Sequence, residues 1–214
     1  MGHVSYSALV PRPRREPDAA ALDSEAAKIR ARFLTAGYRA ATENAAAVET
    51  LVRYAAQYRM AADGRCSHPA RGLFIHGPAG TGKTFAARLL AALLNVEFFT
   101  VFELGNAFAV SGAQGFWGLL EPCRKMPMVL DDLGNESSVK SYTNSLPVRE
   151  LLIHRYELWQ NLGCPTVFTS NFGSRRELSA AYGGFVTSRI LGMCEFIALT
   201  GADRRLNRGG NDGR

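Results

Sequence analysis

From residue 72 onward the sequence predicts an α/β fold, a five-stranded parallel sheet between layers of helices. Three observations predict it. Short apolar runs alternate with helical stretches all the way to Leu199. The run Leu73–His76 leads directly into GPAGTGKT at residues 77–84, a glycine-rich loop that opens a helix. The run Met128–Leu130 ends in two aspartates, Asp131 and Asp132. Parallel neighbours need a crossover, usually a helix, and strands covered on both faces read as continuous apolar runs.

The elements follow in order. Residues 1–17 are rich in Pro and Arg without periodicity and read as a flexible arm. Residues 18–35 read as a helix closed by Gly37. A second helix starts near Thr42, with Val48, Leu51, Val52, Ala55 and Tyr58 at helical spacing. Residues 63–70 form a loop. Strand Leu73–His76, helix Phe85–Leu94 and the β-rich run Val96–Phe102 come next. Residues 104–123 read as helix broken by Gly105, Gly112, Gly115 and Gly118. Then follow strand Met128–Leu130, amphipathic helix Leu146–Asn161, strand Thr166–Ser170, short helices over 174–181 and 185–192, and strand Cys194–Leu199. The expected division is a basic arm with one helix over 1–40, the main domain over 41–206, and a disordered tail over 207–214. A C-terminal helical lid domain is not expected.

The 214 residues suffice for one domain with a substantial core, and 47% hydrophobic with 21% charged residues is ordinary for a soluble protein. The longest apolar stretch, Leu89–Phe99, is interrupted by Asn95 and Glu97, so no membrane span is expected. The first residues lack an apolar signal region, which makes the cytoplasm the expected location. Cys66, Cys123, Cys164 and Cys194 are widely spaced, which argues for reduced thiols over a zinc site. The formal charge of +6 is concentrated in Arg12, Arg14 and Arg15 at one end and Arg204, Arg205, Arg208 and Arg214 at the other. Such tails suit a nucleic acid or an acidic partner surface, and equally suit plain solvation.

The loop carries the first chemistry. Gly77, Gly82, Lys83 and Thr84 meet the pattern of a loop that cradles the phosphates of a nucleoside triphosphate. Its backbone, through Pro78, Ala79, Gly80 and Thr81 to Phe85, is expected to aim successive N–H groups at phosphate oxygens. Lys83 would reach the β- and γ-phosphates of ATP, and Thr84 would offer its hydroxyl to Mg²⁺. Asp131, at the end of a neighbouring strand, is the expected carboxylate of the Mg²⁺ shell. Asp132 would orient or deprotonate the attacking water. Asn171 ends the strand of TVFTSN and could hydrogen-bond that water without adding charge.

These residues resemble the Walker A, Walker B and sensor 1 elements of AAA+ ATPases. The resemblance extends to the DnaC-type helicase loaders and the IstB-type transposition ATPases. It rests on RGLFIHGPAGTGKT, VLDDLG, SYTNSLPVRELLIHRYELW, and PTVFTSNF followed by TSRILGMCEFIALTGADRR, spanning about residues 40–206. It implies Arg189 as an arginine finger acting on a neighbouring subunit's nucleotide, and Arg205 as a further nucleotide contact. It also implies that Lys140, Ser141 and Tyr142 face DNA in the channel of an assembled ring or spiral, although a polar loop with a packed Tyr reads equally well. The loaders often carry Gly-Glu-Arg just ahead of the finger, and this chain has Gly183, Gly184 and Phe185 instead.

The function expected on this resemblance is an ATP-hydrolysing AAA+ protein of DNA replication that assembles with itself on ATP and single-stranded DNA and loads a replicative helicase. A transposition ATPase acting on duplex DNA with a transposase, and a nucleotide-gated binding module with little hydrolysis, are the alternatives. The second alternative draws on Asp132, which is one methylene shorter than the Glu usual at that position.

Overall fold

The computed structural model describes residues 14–39, 41–121, 124–135 and 146–203. Helix α1 (Ala19–Thr35) begins where the Asp18 side chain accepts from the Ala21 N–H at 2.8 Å, and Gly37 ends it with φ 84°. A short 3₁₀ turn (Thr42–Asn44) leads into α2 (Ala45–Ala62). Strand β1 (Gly72–His76), helix α3 (Lys83–Leu94) and strand β2 (Glu97–Thr100) follow. Next are α4 (Val101–Leu120), β3 (Met128–Leu133), α5 (Leu146–Leu162), β4 (Thr166–Ser170), α6 (Arg175–Met193) and β5 (Cys194–Ala198). The five strands form one parallel sheet in the order β2-β3-β4-β1-β5, as the alternation of elements predicts.

Both faces of the sheet are covered. Leu73, Ile75, Val129, Val167 and Ile197 point to one side, where Leu51 of α2 and Ala86 and Leu90 of α3 meet them. Ile29 and Phe33 of α1 join the same core. Phe74, Leu130 and Phe168 point to the other side, against Leu104 and Phe116 of α4, Leu152 of α5 and Ile190 of α6. The alternation along β1 places Phe74 opposite Leu73 and Ile75, as period-two geometry requires. Arg155 of α5 is fully buried and joins that helix to the start of β4. It donates to Thr166 Oγ1 at 2.7 Å, to Pro165 O at 3.3 Å and to Cys164 Sγ at 3.3 Å. Among the described residues, no helix is long and apolar enough to cross a membrane.

Apart from shifts of one to three residues at element ends, the structure departs from the sequence reading in four places. The β-rich run stops at Thr100, because Thr100 and Glu103 form a capping box that starts α4 at Val101. Within α4 only Ser111 and Gly112 leave helical geometry, and the other three glycines stay in the helix. The two short helices over 174–192 are one element, broken at Gly183 (φ 81°, ψ 158°). Strand β3 does not end at Leu130 but continues through both aspartates to Leu133, with its pairing to β4 shifted between Leu130 and Leu133. The cause is local. The Asp132 N–H donates to the Thr169 hydroxyl at 2.8 Å instead of to a ladder carbonyl, and Asp132 takes φ 66°.

Candidate nucleotide site

Strands β1, β3 and β4 end side by side, at the carboxyl edge where open α/β sheets bind ligands. A cavity of about 560 Å³ opens there, within the size range of small-molecule sites. Ala79, Gly80, Gly82, Lys83, Thr84 and Phe85 line it from the loop and from α3. Asp132 and Asn135 line it from the end of β3, and Asn171 from the end of β4. Gly37, Tyr38 and Arg39 close it from the segment after α1, so the site draws on residues ahead of position 41.

The loop is tightly held. Lys83 is 6% exposed, and its ammonium donates to Gly77 O at 2.8 Å and Pro78 O at 2.7 Å. The Thr81 hydroxyl, also buried, donates to Pro78 O at 3.0 Å, so Thr81 holds the turn together and does not line the cavity. A side chain at Gly77 (φ 143°) would place its Cβ 1.9 Å from Leu199 O, and one at Gly80 (φ 76°) would meet the Asp203 carboxylate at 1.8 Å. Only glycine fits either place. The chain after β5 is thereby pressed onto the loop. The Asn44 amide fixes the same segment, donating to Thr200 O at 2.8 Å and accepting from the Thr200 N–H at 2.9 Å.

The two aspartates have different surroundings. Asp131 is 3% exposed and accepts the Thr169 hydroxyl at 2.5 Å. Burial pushes its carboxyl above the ordinary aspartate range, against hydrogen bonds from the Thr169 and Thr84 side chains that favour the charge, and the neighbouring Asp132 charge adds to the upward push. Asp132 sits at the cavity wall, where its left-handed backbone turns the carboxylate toward Asn171 and Asn135. Oδ1 accepts from Asn171 Nδ2 at 3.2 Å, and Oδ2 accepts from Asn135 Nδ2 at 2.6 Å. A non-glycine residue at positive φ is uncommon, though Asp tolerates it better than most.

The donor set fits a hard cation. Thr84 lines the cavity and its side chain hydrogen-bonds the Asp131 carboxylate, which is buried and does not itself line it; the two oxygens are the kind of partial shell that Mg²⁺ completes with water and phosphate. Thr84 and Asp131 would hold the ion, which when bound would neutralise phosphate charge. Without a cation, Asp131 is a buried carboxylate beside another carboxylate, and this costs stability. The isosteric Asp131→Asn is therefore expected to raise the melting temperature of the ligand-free protein. A gain of about 1 kcal/mol corresponds to roughly 2–4 °C for a domain of this size. The same variant is expected to lose Mg²⁺-dependent strengthening of ATP binding. Calorimetry with and without Mg²⁺ checks both.

Several cavity residues carry no motif in the sequence. Arg88 lies one helical turn beyond Thr84 on α3, lines the cavity, and holds its guanidinium 4.2 Å from the centre of the Phe98 ring. Its i+4 spacing from Thr84 was the available signal. Thr169, which ties the aspartates together, was signalled only by standing two residues before Asn171 on the same strand. Tyr38 stacks on Phe85, with ring centroids 5.7 Å apart and planes 17° from parallel. Nothing in the sequence beyond the helix-ending Gly37 pointed to that segment. Arg39, Lys83 and Arg88 bring three cations to the cavity walls, which suits a polyanionic ligand.

The fold and the loop can now be set beside known proteins. Residues 73–135 match the family model "ATPase family associated with various cellular activities (AAA)". The structure of DnaI is similar at a TM-score of 0.55 and 24% identity, covering 76% of this chain and 92% of that one. The fold is that of DnaI over most of both chains. A candidate primosome component from Streptococcus pyogenes serotype M3 has a similar fold, at a TM-score of 0.55 and 19% identity, over 77% of this chain and 84% of its own. The DnaC helicase loader matches at a TM-score of 0.47 and 24% identity, over 61% of this chain and 78% of that one. A comparison with curated protein sequences finds no significant match. The resemblance read from the Gly-rich loop and the aspartate-ended strand is thus met by the family model over both motifs, and the fold of DnaI extends over most of the chain.

The remaining expected residues lie elsewhere. Arg189 is on α6, does not line the cavity of its own chain, and packs on Phe185 and Tyr156. Lys140, Ser141, Tyr142 and Arg205 fall outside the described residues.

Proposed function

We propose that this chain binds and hydrolyses Mg·ATP in the cavity at the carboxyl edge of the sheet, and that it assembles with copies of itself to do so. One observation carries the reading: Lys83 and Thr84 of the loop and the Asp132–Asn171 pair line a single cavity, with Asp131 buried next to it and hydrogen-bonded to Thr84. The loop N–H groups and Lys83 bind the phosphates. Asp132 accepts a proton from the attacking water or orients it, and the Asn171 amide holds Asp132 and the water in line. Tyr38 and Phe85 offer an aromatic edge for the base. Arg189 lies away from its own cavity, which supports action on a neighbour's γ-phosphate, where an arginine is worth several orders of magnitude in rate. The motifs shared with helicase loaders support a role in DNA replication, with single-stranded DNA and a replicative helicase as partners.

A second reading has one observation in its favour. Both carboxylate oxygens of Asp132 already accept amide hydrogen bonds, from Asn135 and Asn171. A short carboxylate with both oxygens engaged in this way has less freedom to meet a water at the γ-phosphate, as a nucleotide-gated binding module with slow turnover would have.

ATP turnover measured against protein concentration, with no DNA, single-stranded DNA or duplex DNA, separates these readings. The proposal expects turnover per subunit to rise steeply with protein concentration and to be stimulated by single strands. Stimulation by duplex alone would favour a transposition ATPase. Flat, near-zero turnover with ATP still bound would favour the binding module and sink the hydrolytic reading.

A further inference from the structure

Arg189 has surroundings that reaching a neighbour's phosphate does not by itself require. Its Cζ lies 3.3 Å from the centre of the Phe185 ring and 5.1 Å from that of Tyr156. Its Nη1 donates to Phe185 O at 3.4 Å. Its Nε is buried and has no hydrogen-bond partner among the described residues, so ring faces take the place of polar partners on that side of the guanidinium.

The two rings come from the two helices, Phe185 from α6 itself and Tyr156 from α5. Phe185 follows the break in α6 at Gly183, and it stands four residues before Arg189, on the same face of the helix. It is 52% exposed, far more than a core phenylalanine. Tyr156 is half-buried on α5. Its hydroxyl accepts from Gln160 Nε2 at 2.8 Å, and its ring edge stands 3.7 Å from where a Cβ at Gly192 would lie.

A guanidinium is planar and weakly hydrated, and it stacks on aromatic faces while keeping N–H groups for an oxyanion. A free arginine on a helix surface explores many rotamers and must give them up on binding a phosphate. An arginine already ordered on two rings gives up fewer. We infer that Phe185 and Tyr156 are positioning residues for Arg189: they hold its guanidinium on the α5–α6 surface, ordered in advance for a nucleotide phosphate presented by a second copy of this chain. This rests on the proposal above that Arg189 acts on a neighbour's nucleotide.

The test uses the full chain and compares Phe185→Ala, Phe185→Leu and Phe185→Tyr with Arg189→Ala and with the Phe185→Ala/Arg189→Ala double variant. Four quantities are read: the ATP dissociation constant, assembly by sedimentation, and kcat and KM per assembled subunit. Phe185→Ala is expected to lower kcat about tenfold with KM nearly unchanged, as for coupled neighbours. Phe185→Tyr restores kcat, Phe185→Leu does not, and the double variant is no slower than Arg189→Ala. A leucine that rescues as well as tyrosine would reduce the role to packing volume and overturn the inference. So would a wild-type kcat in Phe185→Ala, or an additive loss in the double variant. Weaker assembly with kcat per assembled subunit intact would make Phe185 an interface residue only, and would overturn it too. Full turnover in Arg189→Ala would sink the finger reading itself, a different failure from an intact finger that ignores its rings. If Phe185→Ala does not fold, Tyr156→Leu against Tyr156→Phe asks the same question.

Discussion

Lys83→Ala is expected to lower ATP affinity by at least about 100-fold, or roughly 3 kcal/mol. The ammonium is buried at the loop and donates to two loop carbonyls, Gly77 O and Pro78 O. It therefore stands at the phosphate cradle before any ligand arrives, and little side-chain entropy is left to lose on binding. Charge-assisted bonds to phosphate are the strong kind, and alanine removes them all. The fold has less to lose. Two carbonyls lose one donor each, and an under-satisfied carbonyl is a milder defect than a buried N–H. The ligand-free melting temperature is expected to change by only a few degrees, whereas the rise in melting temperature produced by saturating ATP should vanish. Titration calorimetry and thermal melts with and without ATP read both effects. An unchanged dissociation constant would remove this loop from nucleotide binding.

The sequence carried the architecture because the strands of a sheet buried on both faces are short apolar runs, and each ends where chemistry begins. Leu73–His76 before the glycines and Thr166–Ser170 before Asn171 were legible to within a residue. What the sequence did not carry were events decided by partners distant in the chain. Strand β3 runs past Leu130 because the Thr169 hydroxyl on the adjacent strand receives the Asp132 N–H, and no pattern within VLDDLG records that. The site divides in the same way. The loop residues, Asp132 and Asn171 are written in local motifs, and the fold brings them to one cavity. Tyr38 and Arg39 reach that cavity only because α1 packs on α2 and the chain after β5 is fixed to Asn44, a contact between residues 156 positions apart. A helix-ending glycine cannot announce that. Phe185 likewise reads as a plain apolar residue of a helix until the break at Gly183 and the guanidinium of Arg189 are seen beside it.

Arg189→Ala is expected to leave ATP binding to the single chain intact and to remove the part of turnover that depends on assembly, by about a thousandfold or more. The two halves of this expectation have separate grounds. Binding should survive because Arg189 does not line the cavity of its own chain, and Lys83, Arg39 and Arg88 supply the local positive charge. Turnover should fall because in phosphoryl transfer the protein acts mainly by positioning and by stabilising charge. The described cavity offers Arg88 as its cation next along α3 from the loop, and that guanidinium is already stacked on Phe98. On the reading proposed above, a cation from outside the chain would then complete the transition-state charge balance. Mixing decides the point. If Arg189 acts on a neighbour, the finger variant keeps a competent cavity, and a Lys83→Ala variant keeps a competent finger. Equal amounts of the two, each inactive alone, should recover a fraction of wild-type turnover. Were Arg189 to act within its own chain, every subunit of the mixture would lack either a cavity or a finger, and no activity would return.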